Sequence, residues 1–279
     1  MDLDPIGDGD RPNPARMYDY MLGGGYHFAV DRAQVERMLA RSPGTAEVVR
    51  ANRGFQRRAV RRCAERGIVQ FLELGSGIPS IGSVHEVARR VRPHARVAYV
   101  DHDAVAVAHA DEVMAGDALL SATLADVADP SAVLGAPGVA GLLDLDRPLA
   151  VLACAVLHFL PDGLRAVVEG YRRVLAPGSV LMISHAHRED DGTDTERLDA
   201  VQQTYGDTPT RLVLRSRAEI VALFDGVDLV PPGVVDVRDW PRPRVDGSGI
   251  ACAEPGGILA GVGVVPGDEG RPFADQAGR

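Results

Sequence analysis

Hydrophobic and polar positions change rhythm once along this chain. Between residues 14 and 67 apolar side chains recur every third or fourth position, which predicts helices over 15–22, 31–40 and 45–66. In the last of these, Val48, Asn52, Phe55, Ala59 and Cys63 share a stripe that Arg50, Arg57 and Arg61 avoid, so one face is expected to be buried and another wet. After Gly67 short apolar runs take over, at 69–74, 96–100, 119–124, 149–156, 179–184, 227–230 and 258–265. Helical patterns at 82–91, 104–115, 164–175 and 217–224 separate them. Such alternation is that of βαβ units, whose right-handed crossovers build a parallel sheet. The final run follows an apolar stretch at 234–237 with no crossover helix between, so a C-terminal antiparallel hairpin is expected. The expected organisation is a disordered arm over 1–13, a helical cover or lid over 14–67, an α/β domain over 68–265 and a polar tail over 266–279.

Composition narrows the chemistry. The 279 residues are 46% hydrophobic and 25% charged, a balance that supports a sizeable core. A net charge of −9 disfavours a nucleic-acid partner. All of the 30 basic side chains are arginines. Without lysine there is no Schiff-base chemistry, no pyridoxal phosphate enzyme and no P-loop. The central apolar run at 149–157 is far short of the ~20 residues a membrane span needs. The first residues alternate Asp, Gly and Pro without an apolar core, so no secretory signal is expected. Cys63, Cys154 and Cys252 form no CxxC pair, which fits reduced thiols and a cytoplasmic location.

The first apolar run ends in Glu73, Leu74, Gly75, Ser76, Gly77, Ile78 and Pro79, just before a helical pattern. Glycines at that position let backbone N–H groups approach a ligand in the crevice where open α/β sheets bind nucleotides. The second run ends in Asp101, where a carboxylate can accept both hydroxyls of a ribose, and Asp103 and Asp126 follow. A nicotinamide or flavin fingerprint wants a third glycine where Ser80 stands. An acid at Glu73 would repel a pyrophosphate, yet suits a cofactor with an α-amino group and a sulfonium. S-adenosyl-L-methionine has both.

On these residues the chain resembles the class I S-adenosylmethionine-dependent methyltransferases. It is more closely similar to a bacterial subfamily, formerly a domain of unknown function and now named S-adenosyl methyltransferase. The resemblance is carried by Pro14-Ala-Arg-Met-Tyr-Asp-Tyr-Met-Leu-Gly-Gly24, Asn52-Arg-Gly-Phe-Gln-Arg-Arg-Ala-Val60, Phe71-Leu-Glu-Leu-Gly-Ser-Gly-Ile-Pro79, Val97-Ala-Tyr-Val-Asp101 and Ala155-Val-Leu-His-Phe-Leu-Pro-Asp162. It implies a Rossmann-like class I sheet, mostly parallel with the antiparallel C-terminal hairpin, under the N-terminal helical cover. It also implies an enzyme that moves a methyl group to a small-molecule acceptor, by O- or N-methylation. A non-catalytic S-adenosylmethionine-binding regulator and an NAD-dependent oxidoreductase are the alternatives, and the oligomeric state is left open.

The expected cofactor residues are Tyr18, Tyr20, Gly23, Gly24, Arg53, Glu73, Gly75, Ser76, Gly77, Asp101, His102, Asp126 and Val127. Tyr18, Tyr20, Tyr26 and Phe28 crowd around three glycines, a composition suited to a lid that closes on a sulfonium. The resemblance implies that the acid after the third strand, Asp126, bonds the adenine amino group, and that Arg53 reaches the cofactor carboxylate or an acidic acceptor. His158, after the fourth run, is the expected catalytic residue, a general base on the acceptor side. No metal is expected. His185 and His187 share a strand face, but polar residues at a strand exit are the simpler account.

Overall fold

A computed structural model describes residues 11–79, 82–188, 195–206, 208, 210–241 and 257–267. Most of the expected arm and tail, together with Ser80 and Cys252, lie outside the described residues.

Helix α1 (Pro14–Leu22) starts where Asn13 accepts the N–H groups of Ala15 and Arg16. Pro14 presets the first turn, and Gly23 ends it at φ +81°, in the left-handed region. Helices α2 (Ala29–Arg41) and α3 (Thr45–Glu65) follow, both close to expectation. Then come β1 (Gln70–Leu74), α4 (Val84–Arg89), β2 (Arg96–Asp101), α5 (Ala104–Val113) and β3 (Leu120–Leu124). Two short helices, α6 (Pro130–Gly135) and α7 (Pro137–Ala140), lie in a stretch where none was expected. The chain continues through β4 (Ala150–Cys154), α8 (Leu164–Arg172), β5 (Val180–Ala186), α9 (Thr195–Gly206) and α10 (Arg217–Val221) to β6 (Asp228–Leu229), β7 (Val235–Asp236) and β8 (Ile258–Val264).

The eight strands form one sheet in the order β3-β2-β1-β4-β5-β8-β6, with β7 also paired to β8. Strands β1 to β5 are parallel, whereas β8 runs antiparallel to β5, β6 and β7. The expected C-terminal hairpin is thus a strand inserted between β5 and β6. Strand order reverses between β1 and β4, the switch point at which open α/β sheets hold ligands.

Side chains of β1 alternate between the two faces of the sheet. Phe71 joins the core beneath α3 with Phe55, Ala59 and Cys63, and Leu72 and Leu74 join the core on the opposite face. Glu73 shares the face of Phe71, so its carboxylate is carried to α3. Trp240 is buried edge-on against Phe55, with ring centroids 5.4 Å apart. It is a core residue under α3.

Two arginines of α3 bond to backbone of neighbouring elements. Arg58 donates to the carbonyls of Trp240 and Val237, and Arg57 to that of Gly82. Their work is to fasten α3 to its neighbours. Among the described residues no helix is long and apolar enough to cross a membrane.

Candidate active site

The carboxyl ends of β1 and β4 meet closely. Gly75 sits at φ +64° and Gly77 at φ +58°, conformations that a side chain would strain. A Cβ on Gly75 would fall 2.2 Å from Cγ2 of Val156, so only glycine lets the loop after β1 pass the loop after β4. Asp101 closes the next gap. Its Oδ2 accepts the Gly77 N–H at 2.7 Å and its Oδ1 the Asp103 N–H at 2.9 Å. Burial pushes its pKa up, against the pull of those N–H groups.

Above these loops lies a cavity of about 160 Å³. Of the expected residues, Tyr18, Arg53, Glu73, Gly75, Ser76, Gly77, Asp101, His102, Val127 and His158 line it. Tyr20, Gly23, Gly24 and Asp126 are not in its lining. Tyr20 donates instead to Glu36 at the surface. Gly23 is the α1 cap, and Gly24 lies so close to the Asp19 carboxylate that a Cβ there would be 1.9 Å from Oδ1. Asp126 is exposed and accepts the Ala128 N–H, a local turn contact.

The helical cover contributes more than the sequence suggested. Asp19, Asn52 and Gln56 line the cavity beside Tyr18 and Arg53. Gln56 bridges Arg53 and Glu73, accepting from the first and donating to the second. Burial raises Glu73 to about 7, with Arg53 and Gln56 opposing the rise. Tyr18 is tied in through Asn52, whose amide donates to its hydroxyl at 2.9 Å.

Three buried polar atoms in this wall have no partner: Asp19 Oδ1, Asn52 Oδ1 and Arg53 Nε. Buried polar groups are nearly always paired, so an unpaired group of this kind calls for an explanation such as an absent ligand. The three residues that carry them, a carboxylate, an amide and a guanidinium, all line the cavity.

His158 sits on the 3₁₀ turn Leu157–Phe159 after β4. It is 6% exposed, and its Nδ1 accepts the Ala186 N–H at 3.2 Å. Burial, then His185 and Arg215, hold its pKa well below the usual histidine range. The ring is therefore neutral with its proton on Nε2. In that tautomer the Nδ1 lone pair is engaged and Nε2 carries the proton, so the ring as it stands is a hydrogen-bond donor. His185 is engaged on both nitrogens, by the Ala186 carbonyl and by Arg215.

Comparison with known proteins agrees with this geometry. The profile of the S-adenosyl methyltransferase family matches residues 4–266. The chain belongs to this family. A candidate methyltransferase from Thermobifida fusca is 36% identical over 93% of this chain and 97% of its own, with a TM-score of 0.85. A DUF574-family protein from Streptomyces avermitilis is 31% identical over 93% and 99%, with a TM-score of 0.84. An O-methyltransferase family protein from Burkholderia thailandensis, 14% identical over 80% of this chain and 58% of its own, shares the fold at a TM-score of 0.51. No curated protein matches the sequence.

As a member of the S-adenosyl methyltransferase family the protein is an S-adenosylmethionine-dependent methyltransferase. The cavity fits that cofactor on its own terms, since its lining holds a guanidinium whose Nε is unpaired and two side chains that each carry an unpaired oxygen, chemistry that matches the carboxylate and ammonium of a methionine moiety. Several lining residues escaped the sequence reading. Leu198, Val201 and Tyr205 come from α9, a helix not expected at all, although their spacing of three and four carries a helical signal.

Proposed function

We propose that this protein transfers the methyl group of S-adenosylmethionine to an oxygen or nitrogen of a small-molecule acceptor. The observation that carries the reading is the trio of unpaired buried atoms on Asp19, Asn52 and Arg53 at the carboxyl end of β1. In it, Arg53 holds the cofactor carboxylate, and the oxygens of Asp19 and Asn52 take the ammonium. The Tyr18 ring already faces a cation, with the Arg53 guanidinium 5.7 Å from its centroid, and its π face suits a sulfonium as well. Asp101 keeps lone pairs beyond the two N–H bonds it accepts, and these receive the ribose hydroxyls. Val127 gives the adenine an apolar wall. When bound, S-adenosylmethionine supplies an electrophilic methyl carbon on a positively charged sulfur. The chain's part is to hold the acceptor in line with that carbon and to keep water out, which can provide much of the rate.

Calorimetric titration with S-adenosylmethionine, S-adenosylhomocysteine and NAD tests the cofactor. The first two are expected to bind more tightly than NAD, and the reverse order would remove the proposal. Release of S-adenosylhomocysteine in the presence of an acceptor distinguishes a catalyst from a regulator that only binds.

A further inference from the structure

Strand order sorts the lining of the cavity. The charged groups gather at the β1–β2 end, where Arg53, Glu73, Asp101 and Asp103 lie with Asp19 of α1. Beyond β4 the lining changes character. Phe159, Leu198, Val201 and Leu212 form most of it, with Tyr205 and Thr210 as its polar members, and no charged side chain among the described residues lines that end. Ala186, Tyr205 and Leu212 belong to the apolar cluster that joins α9 to the helical cover, so this wall is part of a packed core.

Beside the hydroxyl-bearing Tyr205 and Thr210, one ring donor faces this space. His158 lines it while more than nine-tenths buried, and its Nδ1 is occupied by the Ala186 N–H. Its Nε2–H has no partner among the described residues. A donor enclosed in this way favours a ligand that brings a lone pair to it, because leaving it unpaired is costly. A formal charge at the same place would exchange water for hydrocarbon, and the nearest cation, Arg215, is held behind His185 and is not part of the lining.

We propose that the methyl acceptor is an uncharged, largely apolar molecule that presents an oxygen or nitrogen lone pair to the Nε2–H of His158. This rests on the methyltransferase reading of the same cavity. On that reading His158 binds and orients the acceptor as a hydrogen-bond donor, and Arg53 and Asp19 are occupied by the cofactor.

Four probes of similar size test it against the protein loaded with S-adenosylhomocysteine: acetophenone, ethylbenzene, benzoate and benzylammonium. Calorimetry or ligand-observed NMR is expected to find acetophenone binding most tightly, with both ions at least about tenfold weaker. Ethylbenzene is expected between them. In His158→Phe acetophenone loses its advantage over ethylbenzene, while His158→Gln, which keeps an N–H near the same place, retains it. S-adenosylhomocysteine affinity stays unchanged in both. With S-adenosylhomocysteine bound, an ion that matches or exceeds acetophenone overturns the proposal. So does the absence of millimolar binding by any probe. Failure of S-adenosylhomocysteine itself to bind would overturn the cofactor reading beneath it.

Discussion

Gly75 passes Val156 so closely that a methyl group on its Cα would overlap the valine side chain, at 2.2 Å from Cγ2. Gly75→Ala therefore combines this overlap with a left-handed backbone, and it is expected to weaken S-adenosylhomocysteine binding at least about tenfold. Val156→Ala removes the overlap but not the strain, so the double variant is expected to recover part of the loss. A calorimetric double-mutant cycle measures that coupling, and additive losses would show that the contact is unimportant.

Arg53 and Asp101 are expected to act on different parts of the cofactor. A charge-assisted hydrogen bond contributes about 1.5–3 kcal/mol, so Arg53→Ala should weaken S-adenosylhomocysteine roughly tenfold or more. It should leave 5′-methylthioadenosine, which lacks the amino acid portion, unaffected. Asp101→Ala should weaken both ligands. Equal loss of both in Arg53→Ala would place the amino acid portion elsewhere.

Glu73 gives the stability a particular pH dependence. Its pKa is about 7 in the folded chain against an ordinary 4.5, chiefly through burial. Between those values the folded state keeps a proton that the unfolded chain has released, so this group's contribution falls as pH rises through the window. The full penalty is on the order of 3 kcal/mol. Denaturant melts from about pH 5 to about pH 8 are expected to show Glu73→Gln losing that downward slope and gaining relative to the parent at the alkaline end. Parallel curves for the two proteins would contradict it.

The cover depends on one buried carboxylate. Asp31 is fully buried and accepts from Arg16 Nε at 2.7 Å, the Asn13 N–H at 2.9 Å and the Phe28 N–H at 2.8 Å. Breaking a buried pair of this kind costs about 3–5 kcal/mol. Asp31→Ala is expected to loosen α1 from α2 and, because Tyr18 and Asp19 ride on α1, to weaken S-adenosylhomocysteine binding. Hydrogen exchange over residues 14–28 reports the loosening, and the same amides in the parent protein should gain protection when the cofactor product binds. Unaltered exchange in the variant would mean that α1 is held by its apolar contacts alone.

Much of the central site was legible because its parts are local. A strand ending in Glu73-Leu74-Gly75-Ser76-Gly77, with an acid ending the next strand, specifies backbone shapes that neighbouring residues largely determine. Gly23 and Gly24 fall outside the cavity lining, and a helix cap and a close approach to a carboxylate demand glycine as strongly as a ligand does. Asn52 belongs to the buried stripe of α3, but periodicity does not say that a stripe faces a cavity. The tautomer of His158 depends on the Ala186 N–H, from another strand, and no local pattern reports such a pairing. Helix α9 was hidden by its mostly polar sequence, since only a few apolar positions face the cavity.

The placement of β8 has a consequence for how the protein comes into being. Ile258 and its neighbour Gly257 form part of the cavity wall, and β8 must enter between β5 and β6 to bring them there. A ribosome will have made every other strand before these residues emerge. Until then β5 presents an open apolar edge, and the nascent chain carries its nucleotide loop without the far wall of the chamber. The last strand to be made therefore closes the cavity and completes the core beneath α3 in one step, through Ile258, Ala260 and Val262.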